Sequence, residues 1–92
     1  MAQEGGTTFE RELLLDETRN RYALFSIGWQ GVSRVHTCLV HIDLIGNKVW
    51  VQEDVTEEGI SNRLVVAGIP PHHIVLGFYA PEERVHTEFA LS

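Results

Sequence analysis

Apolar and polar side chains alternate through the first half of the chain, with the period of two that is typical of β-strands. The alternation is loose at 9–15, while 21–30 is rich in aromatic and branched residues and 35–45 in branched ones. Gly46-Asn47 is a two-residue turn signal because both residues tolerate positive φ. The pattern predicts strands at 9–15, 21–30, 35–45 and 48–53, with a hairpin loop at 16–20 and a turn at 46–47.

The predicted turn at 46–47 also sets a strand register. It places Ile45 opposite Lys48, Asp43 opposite Trp50, and His41 opposite Gln52. One side of this hairpin, here called the apolar face, then carries Val40, Ile42, Leu44, Val49 and Val51. The other side, the polar face, carries His41, Asp43, Lys48, Trp50 and Gln52. A one-residue slip would exchange the two faces, and the apolar set opposes that slip.

The pattern changes from strand to helix after Asp54. Thr56 is placed to cap a helix, and Gly68 is placed to end it. Ile60 and Leu64 have helical spacing, so the sequence predicts a helix over 56–67 that covers the apolar face. A fifth strand is predicted at 74–78 and a helical turn at 81–85. The fold class is therefore α+β, with a mainly antiparallel sheet of four to five strands and one principal helix on one face.

Length and charge limit the classes of function. The chain has 92 residues, enough for one domain, which we place at 8–92 after a disordered start at 1–7. With 13 acidic and 7 basic side chains the net charge is −6, which argues against direct nucleic-acid binding. Cys38 is the only cysteine, so no internal disulfide forms. No apolar run is long enough to span a membrane, and we expect a cytoplasmic protein.

The polar face is the main candidate site, because it is too polar for a dry core and too aromatic for a plain solvated surface. Three interpretations stay open: a half-exposed sheet face, a protein-binding surface anchored by Trp50, and an active site. We extend the binding interpretation to Arg84, whose guanidinium suits a partner carboxylate. His41 and Asp43 share this face as an acid/base pair, so the enzymatic alternative is a small hydrolase-like or metal-dependent enzyme.

Metal and thiol chemistry have weaker support in the sequence. His36 and Cys38 lie on one strand parity and His41 on the other, which separates them unless a bulge intervenes. Branched residues surround Cys38, so we interpret it as a small buried hydrophobe. The sequence therefore assigns no catalytic residue, no metal ligand and no cofactor.

An ordered set of short signatures resembles the XisI family and runs from about Asp16 to Leu91. No single signature is specific, but their order is. The first half contains Tyr22-x-Leu24-x-x-x-Gly28-Trp29, His41-x-Asp43, Lys48-x-Trp50-x-Gln52 and Asp54-x-Thr56-Glu57-x-Gly59-Ile60. The second half contains Gly68-Ile69-Pro70, Ile74-Val75-Leu76-Gly77-Phe78 and Pro81-x-x-Arg84-x-x-Thr87-x-Phe89-Ala90.

The resemblance implies an accessory role in DNA excision. Members of the family are known as controlling factors for removal of the fdxN element from the chromosome of nitrogen-fixing filamentous cyanobacteria. A separate site-specific recombinase cuts and joins the DNA, and XisI acts with a companion, XisH. The resemblance thus implies a non-enzymatic factor with an XisH-type partner and only an indirect link to the recombinase. It supplies no agreed catalytic residue.

The chain departs from the family at its beginning. Members usually start with an amphipathic helix of several turns, which residues 1–7 are too few to form. We therefore expect exposed apolar area that drives association into a homo-oligomer. A further alternative is direct DNA binding, which needs a local basic patch; its candidate residues are Arg11, Arg19, Arg21 and Arg34.

Overall fold

A computed structural model describes residues 7–92, and the predicted disordered start lies outside this range except for Thr7, which begins a strand. Five strands form one sheet in the order β1-β2-β3-β4-β5. Their bounds are β1 Thr7–Asp16, β2 Arg21–Gln30, β3 Ser33–Ile45, β4 Lys48–Asp54 and β5 Ile74–Leu76. The helices are α1 Ile60–Val66, α2 Pro81–Arg84 and a 3₁₀ turn at Pro71–His73.

The sheet is mixed. The first three pairings are antiparallel and join consecutive strands through short turns, whereas β5 lies parallel to β4. A parallel neighbour needs a crossover connection, and α1 supplies it. The predicted α+β class and principal helix are confirmed. The sheet is mainly antiparallel, as predicted, but it is mixed, because its last pairing is parallel.

The predicted register of the β3–β4 hairpin is correct near its turn and wrong at its far end. Ile45 pairs with Lys48 and Asp43 with Trp50, as predicted. His41, however, lies opposite Glu53, because the register shifts between His41 and Ile42 and leaves Gln52 as an extra residue on β4. Such a bulge bends the strand without a clear signal in the hydrophobic pattern.

The helix begins later than predicted. It starts at Ile60, not Thr56. The carboxylate of Asp54 accepts hydrogen bonds from backbone amides of the residues that follow it, and this holds residues 56–59 outside the helix. Asp54 Oδ1 accepts from the Thr56 amide at 3.0 Å, and Oδ2 accepts from the Ile60 amide at 2.6 Å. The predicted end is confirmed, since Gly68 has φ +112° and its amide donates to the Val65 carbonyl.

The densest core lies between β4, β5 and α1. Val51 and Ile74 are fully buried and Leu76 nearly so. Ile60, Leu64 and Val65 of α1 pack against this cluster, together with Val49, Ile69 and Phe89. The predicted coverage of the apolar face by Ile60 and Leu64 is therefore confirmed for this end of the sheet.

Two glycines mark places where another part of the chain comes close. A Cβ on Gly28 would lie 1.8 Å from the Thr8 carbonyl oxygen, so the approach of β1 to β2 requires glycine there. A Cβ on Gly77 would lie 2.6 Å from Gln52 Oε1 and 3.2 Å from Trp50 Cε3. β5 also ends at Leu76, two residues before the predicted Phe78, where the chain turns over the polar face.

Within residues 7–92, no helix has the length and apolar character needed to cross a membrane.

Candidate partner-binding site

The polar face brings together all six side chains that the sequence analysis singled out. Strands β3 and β4 supply His41, Asp43, Lys48, Trp50 and Gln52, and α2 supplies Arg84. The face has two parts that differ in exposure. One is a hydrogen-bonded cluster around Asp43, and the other lies around Trp50 beneath the C-terminal segment, residues 77–92.

Asp43 is the centre of the first part. Its Oδ1 lies 3.2 Å from His41 Nε2, and its Oδ2 accepts from Gln52 Nε2 at 3.2 Å. The bulge at Gln52 therefore does not remove that side chain from the face; it lets Gln52 reach Asp43. The Asp43 side chain is 18% exposed, whereas that of His41 is 41% exposed. Asp43 thus holds the His41 ring in place, and one edge of that ring faces solvent.

A small cleft of about 240 Å³ adjoins the His41 ring. Leu14 and Ala23 contribute apolar surface to it, and Asp16 and Arg21 contribute opposite charges. Leu14 is 49% exposed. The cleft thus combines an anchored polar ring, an exposed leucine and two borders of opposite charge.

Trp50 lies in the second part of the face. The guanidinium carbon of Arg84 lies 5.3 Å from the centre of the Trp50 ring, which is cation–π geometry. Arg84 also donates to the Leu76 and Leu91 carbonyls, each at 3.2 Å. Lys48 Nζ donates to the Ser92 carbonyl oxygen. Trp50 and Lys48 thus contact the C-terminal segment, to which Arg84 belongs, and these contacts leave the three side chains less surface for another protein.

The chemistry of the site does not assemble an activated nucleophile among residues 7–92. His41 has a carboxylate on one side, but no serine or cysteine donates to its ring. Cys38 donates instead to the Val40 carbonyl at 3.5 Å. Burial raises the pKa of the Cys38 thiol, and the nearby charge of Glu53 raises this pKa further. Both effects favour the neutral thiol over the nucleophilic thiolate.

His36 and Cys38 were predicted to lie on the face opposite to His41 unless a bulge intervened, and the structure has such a bulge. The register between β2 and β3 shifts at Leu24/Phe25, so Cys38 pairs with Phe25 while His41 pairs with Ala23. Ala23 and Phe25 share a side of β2, which places all three side chains on the polar face. Within residues 7–92 they still do not gather into a group that could hold a metal ion.

The arginines proposed for DNA contact are spread over the molecule. Arg21 and Arg34 lie at opposite ends of the β2–β3 ladder, roughly 27 Å apart along the strand. Arg19 forms an ion pair with Asp16 at 3.2 Å, and Arg11 points to the apolar face. These four side chains therefore form no common basic patch.

Comparisons with known proteins agree with this fold. The chain is similar to a XisI-like protein from Anabaena variabilis ATCC 29413, with 37% identity and a TM-score of 0.83 over 91% of this chain and 77% of that one. It is also similar to the fdxN element excision controlling factor XisI from the same organism, with 38% identity and a TM-score of 0.77 over 92% and 77%. No curated protein matches the chain. The family model described as XisI protein matches residues 1–91, and the chain therefore belongs to the XisI family.

Proposed function

We propose that this chain is a controlling factor for excision of a DNA element, and that it acts without catalysis by binding an XisH-type protein. The recombinase that cuts the DNA is then affected only indirectly. The observation that supports this role best is the 38% identity, over 92% of the chain, to a protein described as an excision controlling factor. A TM-score of 0.77 accompanies that identity, so the fold is shared as well.

The net charge of −6 supports a protein partner over a DNA partner. A DNA-binding domain collects its cations on one surface, because each phosphate contact requires one. Here the four arginines considered for DNA contact are dispersed. An acidic surface instead attracts a basic protein, and complementary charge mainly increases the association rate.

The Asp43 cluster and its neighbouring cleft provide the proposed contact surface. His41 is oriented by Asp43 before any partner arrives, so binding orders few side chains. Leu14 supplies an apolar contact beside the ring. We place the centre of the contact at His41 and Leu14, since Trp50 already binds the C-terminal segment through Arg84.

The test is size-exclusion chromatography with light scattering, with this chain alone and then mixed with the XisH-type protein of the same genome. We expect a stable mixed complex that His41→Ala and Leu14→Glu each weaken at least about tenfold. His72→Ala is the matched control, because His72 is exposed on the 3₁₀ turn and outside the polar face. Absence of a complex, or equal loss with His72→Ala, would refute the proposed contact.

Three further measurements separate the alternatives. If the complex forms by charge steering, its association rate falls as salt rises; a rate independent of salt contradicts that part of the proposal. If the chain is instead an enzyme that uses His41 and Asp43, His41→Ala abolishes turnover of a substrate while leaving the complex intact. A salt-sensitive shift of duplex DNA by this chain alone would support direct DNA binding instead.

A further inference from the structure

The apolar face of β3 and β4 continues across β2 and β1 on the same side of the sheet, and this whole side is covered at only one end. Helix α1 packs over β4 and β5, while the part of the face on β1, β2 and β3 has no second layer among residues 7–92. A cavity of about 200 Å³ opens there, and its apolar lining includes Leu13, Leu24, Val40, Ile42 and Ile60. Leu13 and Leu15 on the edge strand are 58% and 56% exposed.

The cavity continues into a charged region. A second depression of about 410 Å³ shares Leu24, Val40 and Ile60 with the first. It adds Arg11 from β1 on one side, and on the other Arg63 of α1 together with Glu57 and Glu58, which precede α1. We call the two depressions together the trough. The two walls of one apolar floor thus carry opposite net charges.

The charged side chains on these walls differ in whether they form ion pairs. Glu58 forms an ion pair with Arg63 at 3.3 Å. Within residues 7–92, neither Arg11 nor Glu57 takes part in an ion pair. The trough therefore presents one cation and one anion to whatever covers it.

We propose that a second copy of this chain covers the trough, related to the first by a two-fold axis. In a two-fold interface the contact of residue i with residue j occurs twice, once in each direction. A trough with a cation on one wall and an anion on the other meets that requirement, because Arg11 of each copy lies against Glu57 of the other. The leucines of the two floors, above all Leu13, are then buried at the centre.

The same charge arrangement disfavours a partner of a single charge sign. A basic segment in the trough would meet Arg11, and an acidic segment would meet Glu57, so each would face repulsion on one wall. A second copy avoids both. This interface lies on the side of the sheet opposite to His41, so it leaves the polar face free for the partner proposed above.

Sedimentation velocity over a range of concentrations tests the dimer. We expect a reversible monomer–dimer equilibrium for the native chain and a monomer for Leu13→Glu. Leu14→Glu is the matched control: Leu14 is the next residue on the same strand, is 49% exposed, and points to the polar face. Circular dichroism confirms that both variants keep the fold, since neither leucine is buried.

The control also separates two kinds of dimer. If two copies of β1 pair edge to edge, Leu13→Glu and Leu14→Glu affect the dimer equally, and the proposed interface is wrong. A native chain that remains monomeric up to about 1 mM overturns the proposal outright. If that monomer binds the XisH-type protein and Leu13→Glu abolishes this binding, the trough belongs to that partner instead.

Charge reversal tests the pairing of the two walls. We expect Arg11→Glu and Glu57→Arg each to weaken the dimer by about tenfold at low salt. The double variant restores the pair with its signs exchanged and returns the affinity to within about threefold of the native value. If the double variant is weaker than either single one, Arg11 and Glu57 do not meet and the two-fold arrangement is refuted.

Discussion

The two ends of the sheet both contain apolar side chains but bury them very differently. At the β4–β5 end, Val51, Ile74 and Val75 have no exposed surface. At the β1 end, three consecutive leucines at 13–15 are each about half exposed. The difference comes from the second layer, since α1 reaches only one end. An apolar strand pattern thus predicts that a face needs cover, but not that the chain itself supplies it.

The two outer edges of the sheet differ in the same way as its two ends: the edge of β5 is covered, and the edge of β1 is open. The outer edge of β5 is closed by the C-terminal segment, where the Ala90 amide donates to the Ile74 carbonyl at 2.8 Å. The outer edge of β1 has no neighbouring strand among residues 7–92. Glu10, Arg11 and Glu12 lie along that edge, and charges of this kind oppose unspecific strand pairing. The β1 end, here called the open end, is therefore protected from unspecific strand pairing by charge. The β4–β5 end, here called the closed end, is protected by packing of the C-terminal segment.

The largest contrast is expected from shortening one side chain at each end. Ile74→Ala removes fully buried apolar volume, so we expect it to lower the free energy of unfolding by about 2–5 kcal/mol. Leu13→Ala removes a side chain that is more than half exposed, and we expect a change within about 0.5 kcal/mol. Urea denaturation in dilute solution measures both. Equal losses would show that the β1 end is covered even in the monomer.

A methyl group at Gly28 should disrupt the pairing of β1 with β2 at the open end. The added Cβ would lie 1.8 Å from the Thr8 carbonyl oxygen, a backbone atom that cannot move away without shifting β1. We expect Gly28→Ala to cost about 2–3 kcal/mol and to speed amide exchange in β1 before β4. Gly31→Ala is the control: a Cβ there touches nothing, so only its φ of +63° opposes the change, at about 1 kcal/mol.

Removal of Arg84 loosens the cover of the closed end. Arg84→Ala deletes two hydrogen bonds to carbonyls and the contact with Trp50, so we expect a loss of about 1–3 kcal/mol. Fluorescence should report solvent reaching Trp50 when the measurement is made in a Trp29→Phe background. Arg19→Ala is the matched control, since the Arg19–Asp16 pair is exposed on a turn and contributes little. No change in Trp50 emission would contradict this role for Arg84.

The smallest effect is expected at Cys38, which lies between the two ends. Burial and the charge of Glu53 raise the pKa of this thiol, so less thiolate is present at mildly alkaline pH than in a free thiol. We expect iodoacetamide to alkylate Cys38 more slowly than a model thiol at pH 8, with a rate that rises at higher pH. Glu53→Gln should speed the reaction by removing that charge, whereas Glu57→Gln is the control and should leave the rate unchanged, because the charge that raises this pKa belongs to Glu53.

Much of the sheet was predictable because its signals are local. The turn at Gly46 and Asn47 fixed the pairing of Ile45 with Lys48 and of Asp43 with Trp50. The gathering of His41, Asp43 and Trp50 on one face followed from strand parity alone. The ending of α1 at Gly68 was equally readable, because a positive φ at that position favours glycine.

The errors arose where a side chain or a distant segment overrides local preference. The carboxylate of Asp54 reaches the amide of Ile60, six residues later, and holds 56–59 out of the helix that Thr56 seemed to begin. The extra residue at Gln52 is accommodated because Asp43 accepts its side-chain amide. The covering of Trp50 by Arg84 depends on a contact across 34 positions of sequence, which no periodic pattern encodes.

The bond between Ala90 and Ile74 also orders events during synthesis. Strands β1, β2 and β3 leave the ribosome first, yet they contain few fully buried side chains. The core around Ile74 lacks Phe89, and the edge of β5 lacks Ala90, until those two residues have emerged. The densest core therefore forms only after residue 90 has emerged, while the leucines of the β1–β2 hairpin are already exposed to chaperones or to a second nascent copy.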